Sequence, residues 1–283
     1  MELVLPLAPF KKAQERFKRA LASDTSCFGS EGSPLSKACF YALESGGKRF
    51  RPAIVYMMAE ARGKDNPGID MAAKAVEFFH TASLIADDLP MMDDDDERRG
   101  RPSLHKVFGE STALLASYAL IAEGYRMLKE GAALSGRLDQ LPEALENVAK
   151  NTGALGATGG QYLDLFSDKA APEAIKRVLE MKTGTLFEVA FVLGWLFSGG
   201  DKSNLPVVQA LSGHFGLAFQ IADDLDDLEA DLAAGRQVNL AVILGKEAAT
   251  SALKKEAAEF KAALSALNLS PKELIPLIDS LLG

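Results

Sequence analysis

The chain has 283 residues, 48% hydrophobic and 25% charged, enough to bury one large core or two modest ones. Lys and Arg are outnumbered 31 to 39 by Asp and Glu, giving a net charge of −8, which argues against a general nucleic-acid surface but leaves room for a local basic cluster. The two cysteines, Cys27 and Cys39, are too few for a disulfide scaffold and lack zinc-ligand spacing; they read as reduced thiols of a cytoplasmic protein.

Met1 to Phe10 has no basic start and carries Pro6 and Pro9 where a signal peptide needs an apolar segment. Apolar residues then recur at helical spacing almost throughout, and the alternating runs that mark strands are missing. The pattern predicts an all-α fold with helices near 8–22, 34–45, 52–62, 70–89, 110–130, 139–166, 173–197, 206–232, 238–264 and 271–282. Ser33-Pro34, Ala171-Pro172 and Ser270-Pro271 each read as a cap followed by proline at the first helical position, and Ser270 with Glu273 forms a candidate capping box. Gly46-Gly47, Gly63, Gly199-Gly200 and Gly245 read as stops. The most apolar stretch, Leu186 to Phe197, is short and contains Glu188, so it reads as a buried helix; no transmembrane segment is expected. No linker rich in Pro, Gly or Ser divides the chain, which favours one domain over residues 1–283.

Ile-Ala-Asp-Asp-Leu occurs twice, at Ile85 to Leu89 and at Ile221 to Leu225, each time at the end of an apolar helical pattern. Asp93 to Asp96 follow the first copy, and Asp226 and Asp227 the second. Two like charges about 4 Å apart repel by roughly 4 kcal/mol at an effective dielectric near 20, so facing clusters need cations to coexist. Pro90 cannot continue the first helix, so the chain should bend there and turn Asp93 back toward Asp87. Asp223 and Asp227 are four apart on an unbroken helix, with Asp231 one turn further. Oxygen-only ligands of this kind suit Mg²⁺ shared with phosphate oxygens. Taken alone, Asp94 to Glu97 reads as a solvated acidic face. An EF-hand is excluded because Arg98 stands where its glycine is needed, and His80, His105 and His214 have no zinc spacing with either cysteine.

Basic residues lie where phosphate chemistry needs them. Arg98, Arg99 and Arg101 follow the first acidic cluster, and Gly46-Gly47-Lys48-Arg49-Phe50-Arg51-Pro52 is a glycine-opened basic turn at a helix start. Arginine forks bind phosphate in bidentate fashion, and a helix N-terminus adds partial positive charge.

These residues, with His80, Asp-Asp-Leu-Pro-Met-Met-Asp-Asp-Asp-Asp-Glu-Arg-Arg-Gly at 87–100, Gly-Gly-Gln-Tyr-Leu-Asp at 159–164, Lys-Thr-Gly at 182–184 and Phe-Gln-Ile-Ala-Asp-Asp-Leu-Asp-Asp at 219–227, resemble the trans-prenyl diphosphate synthases, the farnesyl and geranylgeranyl diphosphate synthase family. Any one motif is weak; all of them in this order, across about Pro34 to Asp231, are specific. The resemblance implies an isoprenoid-synthase-type helical bundle around a deep central cavity, usually a homodimer, that joins isopentenyl diphosphate to an allylic diphosphate. It implies that Asp87 and Asp93, with Asp88 nearby, hold two Mg²⁺ ions, and that Asp223, with Asp227 nearby, holds a third. It assigns the allylic diphosphate to Arg98 and Lys182, and the diphosphate of isopentenyl diphosphate to Lys48, Arg51, His80 and Arg99. Thr183 and Gln220 are expected beside the allylic carbon, where they stabilise its developing positive charge.

Water must be excluded from such a cation, so an apolar pocket is required, and it should run along the helix before Asp87. In the resembling family a bulky aromatic about five residues before the first acidic pair closes the pocket at fifteen carbons. Here Ala82 and Ser83 are small, and Phe78 and Phe79, about one turn or ~5 Å further along, are candidates for the floor. Geranylgeranyl diphosphate is therefore expected over farnesyl diphosphate, with longer products if the phenylalanines point elsewhere. The chain departs from the family at Ala86, where a histidine is common, at Ser117-Tyr118, where Gly-Asp is usual, and at Gly235-Arg236-Gln237, a shortened segment in which Arg236 supplies the charge of a Gly-Lys turn. A class I terpene cyclase should lack the basic turn and His80. A non-catalytic partner subunit often loses an acidic motif, and this chain retains both.

Overall fold

The computed structural model describes residues 8–22, 28, 32–166, 172–234 and 239–282. Cys27, Ala171 with its expected cap, and Gly235-Arg236-Gln237 lie outside these. The described chain is helical nearly throughout: α1 (Ala8–Ala22), α2 (Pro34–Leu43), α3 (Phe50–Ala61), α4 (Pro67–Asp87), α5 (Leu104–Phe108), α6 (Glu110–Leu134), α7 (Leu141–Thr152), α8 (Ala157–Phe166), α9 (Pro172–Leu179), α10 (Thr185–Phe197), α11 (Leu205–Asp226), α12 (Leu228–Ala234), α13 (Leu240–Leu244), α14 (Lys246–Ala266) and α15 (Pro271–Asp279).

Local chemistry accounts for most boundaries. Ser33 accepts from Ser36 N at 3.1 Å to open α2, with Pro34 at the first position. Asn66-Pro67 does the same for α4, accepting from Gly68 N at 2.9 Å, three residues earlier than expected. Ser270 caps α15 through Lys272 N rather than through a capping box with Glu273.

Three expected helices are interrupted and a fourth is widened. The span 139–166 breaks between Thr152 and Ala157, where a side chain on Gly156 would sit 2.1 Å from the Asn151 carbonyl oxygen. Residues 206–232 part at Asp227, which ends α11 with a bond from its N–H to Asp223 O, so the second acidic motif does have a break. Gly245, at φ 81°, separates α13 from α14. Between α9 and α10 the helix does not stop, but Glu180–Gly184 widens into a π turn, an insertion frequent at functional sites. The short α5 and a minimal hairpin, β1 (Glu97–Arg98) with β2 (Arg101–Pro102), were not expected. Arg99 and Gly100, at φ 55° and 75°, form the tight turn between the strands; two positive φ values in a row suit a two-residue hairpin loop.

The core is one cluster centred on α3, α4 and α10. From Leu186 to Phe197 every residue of α10 except Glu188 is buried, and Glu188 is satisfied there by Asn147, Asn151 and Gln209 at 2.8, 3.0 and 3.1 Å. Both acidic-motif helices lean on this centre. α4 packs on α3 and α10, while α11 reaches the same pair through Phe219, whose ring lies 5.0 Å from Phe50 and 5.1 Å from Phe187. Lys202–Asp226, which contains α11, is long and apolar enough to cross a membrane. In the fold it packs along α14 and α10 and ends in the second acidic motif.

Candidate active site

A cavity of about 570 Å³ lies between α4, α6, α8 and the start of α10. Its rim carries Asp87, Gln161 and Lys182, and its depth is lined by Ala82, Ser83, Ser117, Leu186 and Phe79. Asp87 and Phe79 are eight residues apart on α4, about 12 Å of helix axis. Phe79 is seated by α6: its ring meets Tyr125 edge-on at 5.2 Å, and a side chain at Gly124 would strike it at 2.7 Å. Phe78 is not part of the floor. Neighbouring residues point about 100° apart on a helix, and Phe78 turns into the core against Phe28, 5.8 Å away. Ser117 donates to the Ala82 carbonyl oxygen at 3.0 Å, whereas Tyr118 is 58% exposed.

At the rim, α4 ends at Asp87 and the chain turns at Pro90, so that Asp93 N–H donates to the Asp87 carbonyl oxygen at 2.9 Å. Burial, opposed by Lys182 and assisted by Asp93 and Asp88, pushes the Asp87 carboxyl up to about 6. Lys182 stands on the π turn 2.8 Å from Asp164 and 3.6 Å from Asp93. Gln161 donates to Asp93 Oδ1 at 3.1 Å. α8 approaches the π turn so closely that a side chain on Gly160 would lie 2.6 Å from Lys182 N. Thr183, in the same turn, is half-buried and does not line the cavity.

Asp88 points elsewhere. It is buried and ion-paired with Arg98, whose Nε donates to its Oδ1 at 2.8 Å; Arg98 also holds Asp95 at 2.6 Å. Burial raises the Asp88 carboxyl, and the Arg98 hydrogen bond opposes this.

The tight hairpin sends the next arginine to the opposite side. Arg99 donates to the Gly46 carbonyl oxygen at 2.8 Å and lies 3.7 Å from Glu77, in space left by Gly47, where a side chain would meet its guanidinium at 2.7 Å. His80 Nε2 is 3.2 Å from Arg51 and 3.4 Å from Arg99. Burial, then Arg51, Arg99 and their neighbours, hold His80 well below its usual pKa, so it accepts from these arginines as a neutral ring. Burial also draws Arg51 down to about 10, still protonated at neutral pH; its guanidinium stacks 4.7 Å over Phe187. Glu77, 1% exposed, pairs with Arg49 as well as Arg99 and anchors the basic wall.

The second motif stands at the end of α11. Burial, then the nearby Asp227 charge, raises the half-buried Asp223, and Lys48 opposes both, so Lys48 links the basic turn to this carboxylate. Asp227 is exposed. Gln220 does not face the 570 Å³ cavity; it donates to Asp224 Oδ1 at 2.8 Å because the buried Asp224 also fastens Leu240 N at 2.7 Å and draws the amide to itself. Arg236 lies outside the described residues.

Three site residues carry no role in the sequence reading: Gln161 and Asp164, inside the motif at 159–164, and Glu77, which lies outside the motifs. Their signal was spacing. Glu77 is three residues before His80 on the same helix face, and Gln161 and Asp164 are three apart on α8, both toward the Asp93–Lys182 pair.

A helical bundle wrapped around an apolar cavity with a carboxylate and lysine rim has the isoprenoid-synthase architecture. The chain belongs to the polyprenyl synthetase family, the trans-prenyl diphosphate synthases, its residues 33–241 matching that family. It is 39% identical over 245 residues to the farnesyl diphosphate synthase of Escherichia coli, covering 82% of this chain and 79% of that one. It is 37% identical over 218 residues to geranylgeranyl pyrophosphate synthase 4 of Arabidopsis thaliana, covering 75% and 58%. Among solved structures, a geranyltransferase from Legionella pneumophila superposes with a TM-score of 0.85 at 28% identity, covering 96% of this chain and 95% of that one.

Proposed function

We propose that this enzyme condenses isopentenyl diphosphate head-to-tail with an allylic diphosphate and stops mainly at geranylgeranyl diphosphate. The observation that carries the reading is the cavity running from Asp87 past the small Ala82 and Ser83 to Phe79. Nothing aromatic on α4 crosses it before that depth. Relatives at similar identity include both farnesyl and geranylgeranyl synthases, so product length rests on the cavity alone.

The donor set fits hard divalent ions. Asp87 is a half-buried carboxylate that gains from a cation, and Asp93 is brought to it across the Pro90 bend. Asp87 and Asp93 would hold two Mg²⁺, with Asp88 behind them kept in place by Arg98, and Asp223 with Asp227 would hold a third. When bound, Mg²⁺ supplies positive charge that stabilises the departing diphosphate. Lys182 adds its own charge at the rim and, with Arg98 and Arg236, would bind the allylic diphosphate. Lys48, Arg51, His80 and Arg99 would hold the diphosphate of isopentenyl diphosphate, His80 orienting the two guanidinium groups. As the allylic carbon–oxygen bond breaks, the isopentenyl double bond attacks the cation, and a proton leaves to the released diphosphate. No protein nucleophile is needed, and the apolar walls keep water away. Thr183 and Gln220 would join the site after a turn of the π segment and release from Asp224.

We also propose a homodimer in the cytoplasm without a membrane span. Leu115 and Tyr118, 55% and 58% exposed on α6, support a partner on that face. The deciding experiment supplies the purified protein with Mg²⁺, isopentenyl diphosphate and dimethylallyl, geranyl or farnesyl diphosphate, followed by chromatography of dephosphorylated products. Twenty-carbon product should dominate. A fifteen-carbon product alone overturns the length assignment, and no condensation with any primer overturns the function.

A further inference from the structure

Beyond the rim just described, the two segments that flank the hairpin bring together a second set of metal-ligating groups. Asp94, Asp96 and His105 present ligand atoms all within 4.8 Å of one another. They come from two segments tied together: Ser103 N–H donates to the Asp96 carbonyl oxygen at 3.0 Å, which sets the start of α5 beside the acidic turn, and Asp94 is held at φ 52° with its N–H on Leu89 O. The carboxylates are exposed, as expected of a solvated acidic face. His105 is not: it is 7% exposed, and neither ring nitrogen has a hydrogen-bond partner among the described residues.

A buried imidazole with both nitrogens unmet is rare, since a neutral ring carries one donor and one acceptor that each require a partner. The carboxylates of Asp94 and Asp96 are the ones that bring ligand atoms within 4.8 Å of the ring; Asp88, which also feels His105 electrostatically, is already paired with Arg98. Lys106 touches Asp96 Oδ1 at 2.5 Å, so part of the acidic charge is already balanced, and Asp94 remains available beside the ring.

We propose that Asp94, Asp96 and His105 form a site for a divalent first-row transition-metal ion, distinct from the carboxylate rim at Asp87 and Asp93. Imidazole with two carboxylates selects ions of the Mn²⁺ to Zn²⁺ range over Mg²⁺, which prefers oxygen donors alone. The ion supplies the missing partner of one His105 nitrogen and clamps the turn that follows Asp93 onto α5. Mg²⁺ at the rim and a softer ion between the acidic turn and α5 would then occupy adjoining but chemically different positions.

The test titrates Co²⁺ into the purified full chain in excess Mg²⁺, without substrates, and follows visible absorption and bound metal per chain. One Co²⁺ per chain should resist Mg²⁺ competition. His105→Gln and, separately, Asp94→Asn should each weaken Co²⁺ by roughly tenfold or more, with Mg²⁺ affinity unchanged. Asparagine tolerates the left-handed conformation of residue 94, so that variant reports even if His105→Gln fails to fold. Displacement of Co²⁺ by Mg²⁺, or an Asp94→Asn protein that binds Co²⁺ like the parent, overturns the assignment.

Discussion

Glu77 is the residue on which the basic wall most depends, and its replacement by glutamine isolates its charge from its shape. The carboxylate is 1% exposed and lies between Arg49 and Arg99, and Arg99 in turn shares His80 Nε2 with Arg51. At 3.7 Å the Arg99 pair alone is worth about 4.5 kcal/mol gross at an effective dielectric of ~20, most of it offset by desolvation. Removing one partner of a buried pair nevertheless costs about 3–5 kcal/mol, because the arginines are left facing one another. Glutamine keeps one acceptor, so Glu77→Gln should lose about 3 kcal/mol in urea unfolding. With Arg99 no longer anchored, KM for isopentenyl diphosphate should rise about tenfold, one charge-assisted hydrogen bond's worth. KM for the allylic substrate should stay within about twofold, since no ion pair joins Glu77 to Lys182 or Arg98 among the described residues. Added inorganic diphosphate should restore part of the lost stability by supplying the missing negative charge. Unchanged unfolding, or equal KM changes for both substrates, refutes the anchoring role.

His80 gives a pH signature. Its folded pKa is depressed below 6.5, so as pH falls through that value the unfolded chain takes up a proton that the native ring refuses, and stability drops. The slope is at most about 1.4 kcal/mol per pH unit until the native pKa is reached. Urea unfolding between about pH 7 and pH 5 should therefore show a flatter decline for His80→Gln than for the parent; parallel curves refute the assignment. For Ala82→Tyr, an added aromatic ring takes up to about 150 Å³, roughly a quarter of the cavity. Product chromatography should shift from twenty to fifteen carbons, and an unchanged distribution shows that the growing chain runs elsewhere.

The sequence determined what depends on neighbours along the chain. Caps such as Ser33 and Asn66-Pro67, the period of the apolar residues and the Pro90 bend act within a few residues, so the helices and the turn of Asp93 toward Asp87 are legible from local chemistry. The motifs also identified the two acidic ends and the basic turn. Only the tertiary structure decided which way each side chain faces, because that depends on partners far along the chain. Asp88 and Asp87 are adjacent in one motif, yet Asp88 is buried against Arg98 while Asp87 meets the cavity. Phe79 forms the floor, with Gly124 on another helix making room for its ring, while Phe78, about 100° round α4, packs against Phe28 in the core. Gln220 is drawn to Asp224 by the distant Leu240, Glu77 becomes an anchor only when α3 and the hairpin close over it, and His105 meets Asp94 and Asp96 only because the chain returns beside the acidic turn. Burial and charge pairing are properties of the packed chain, and they turned a list of acids and arginines into walls with distinct chemistry.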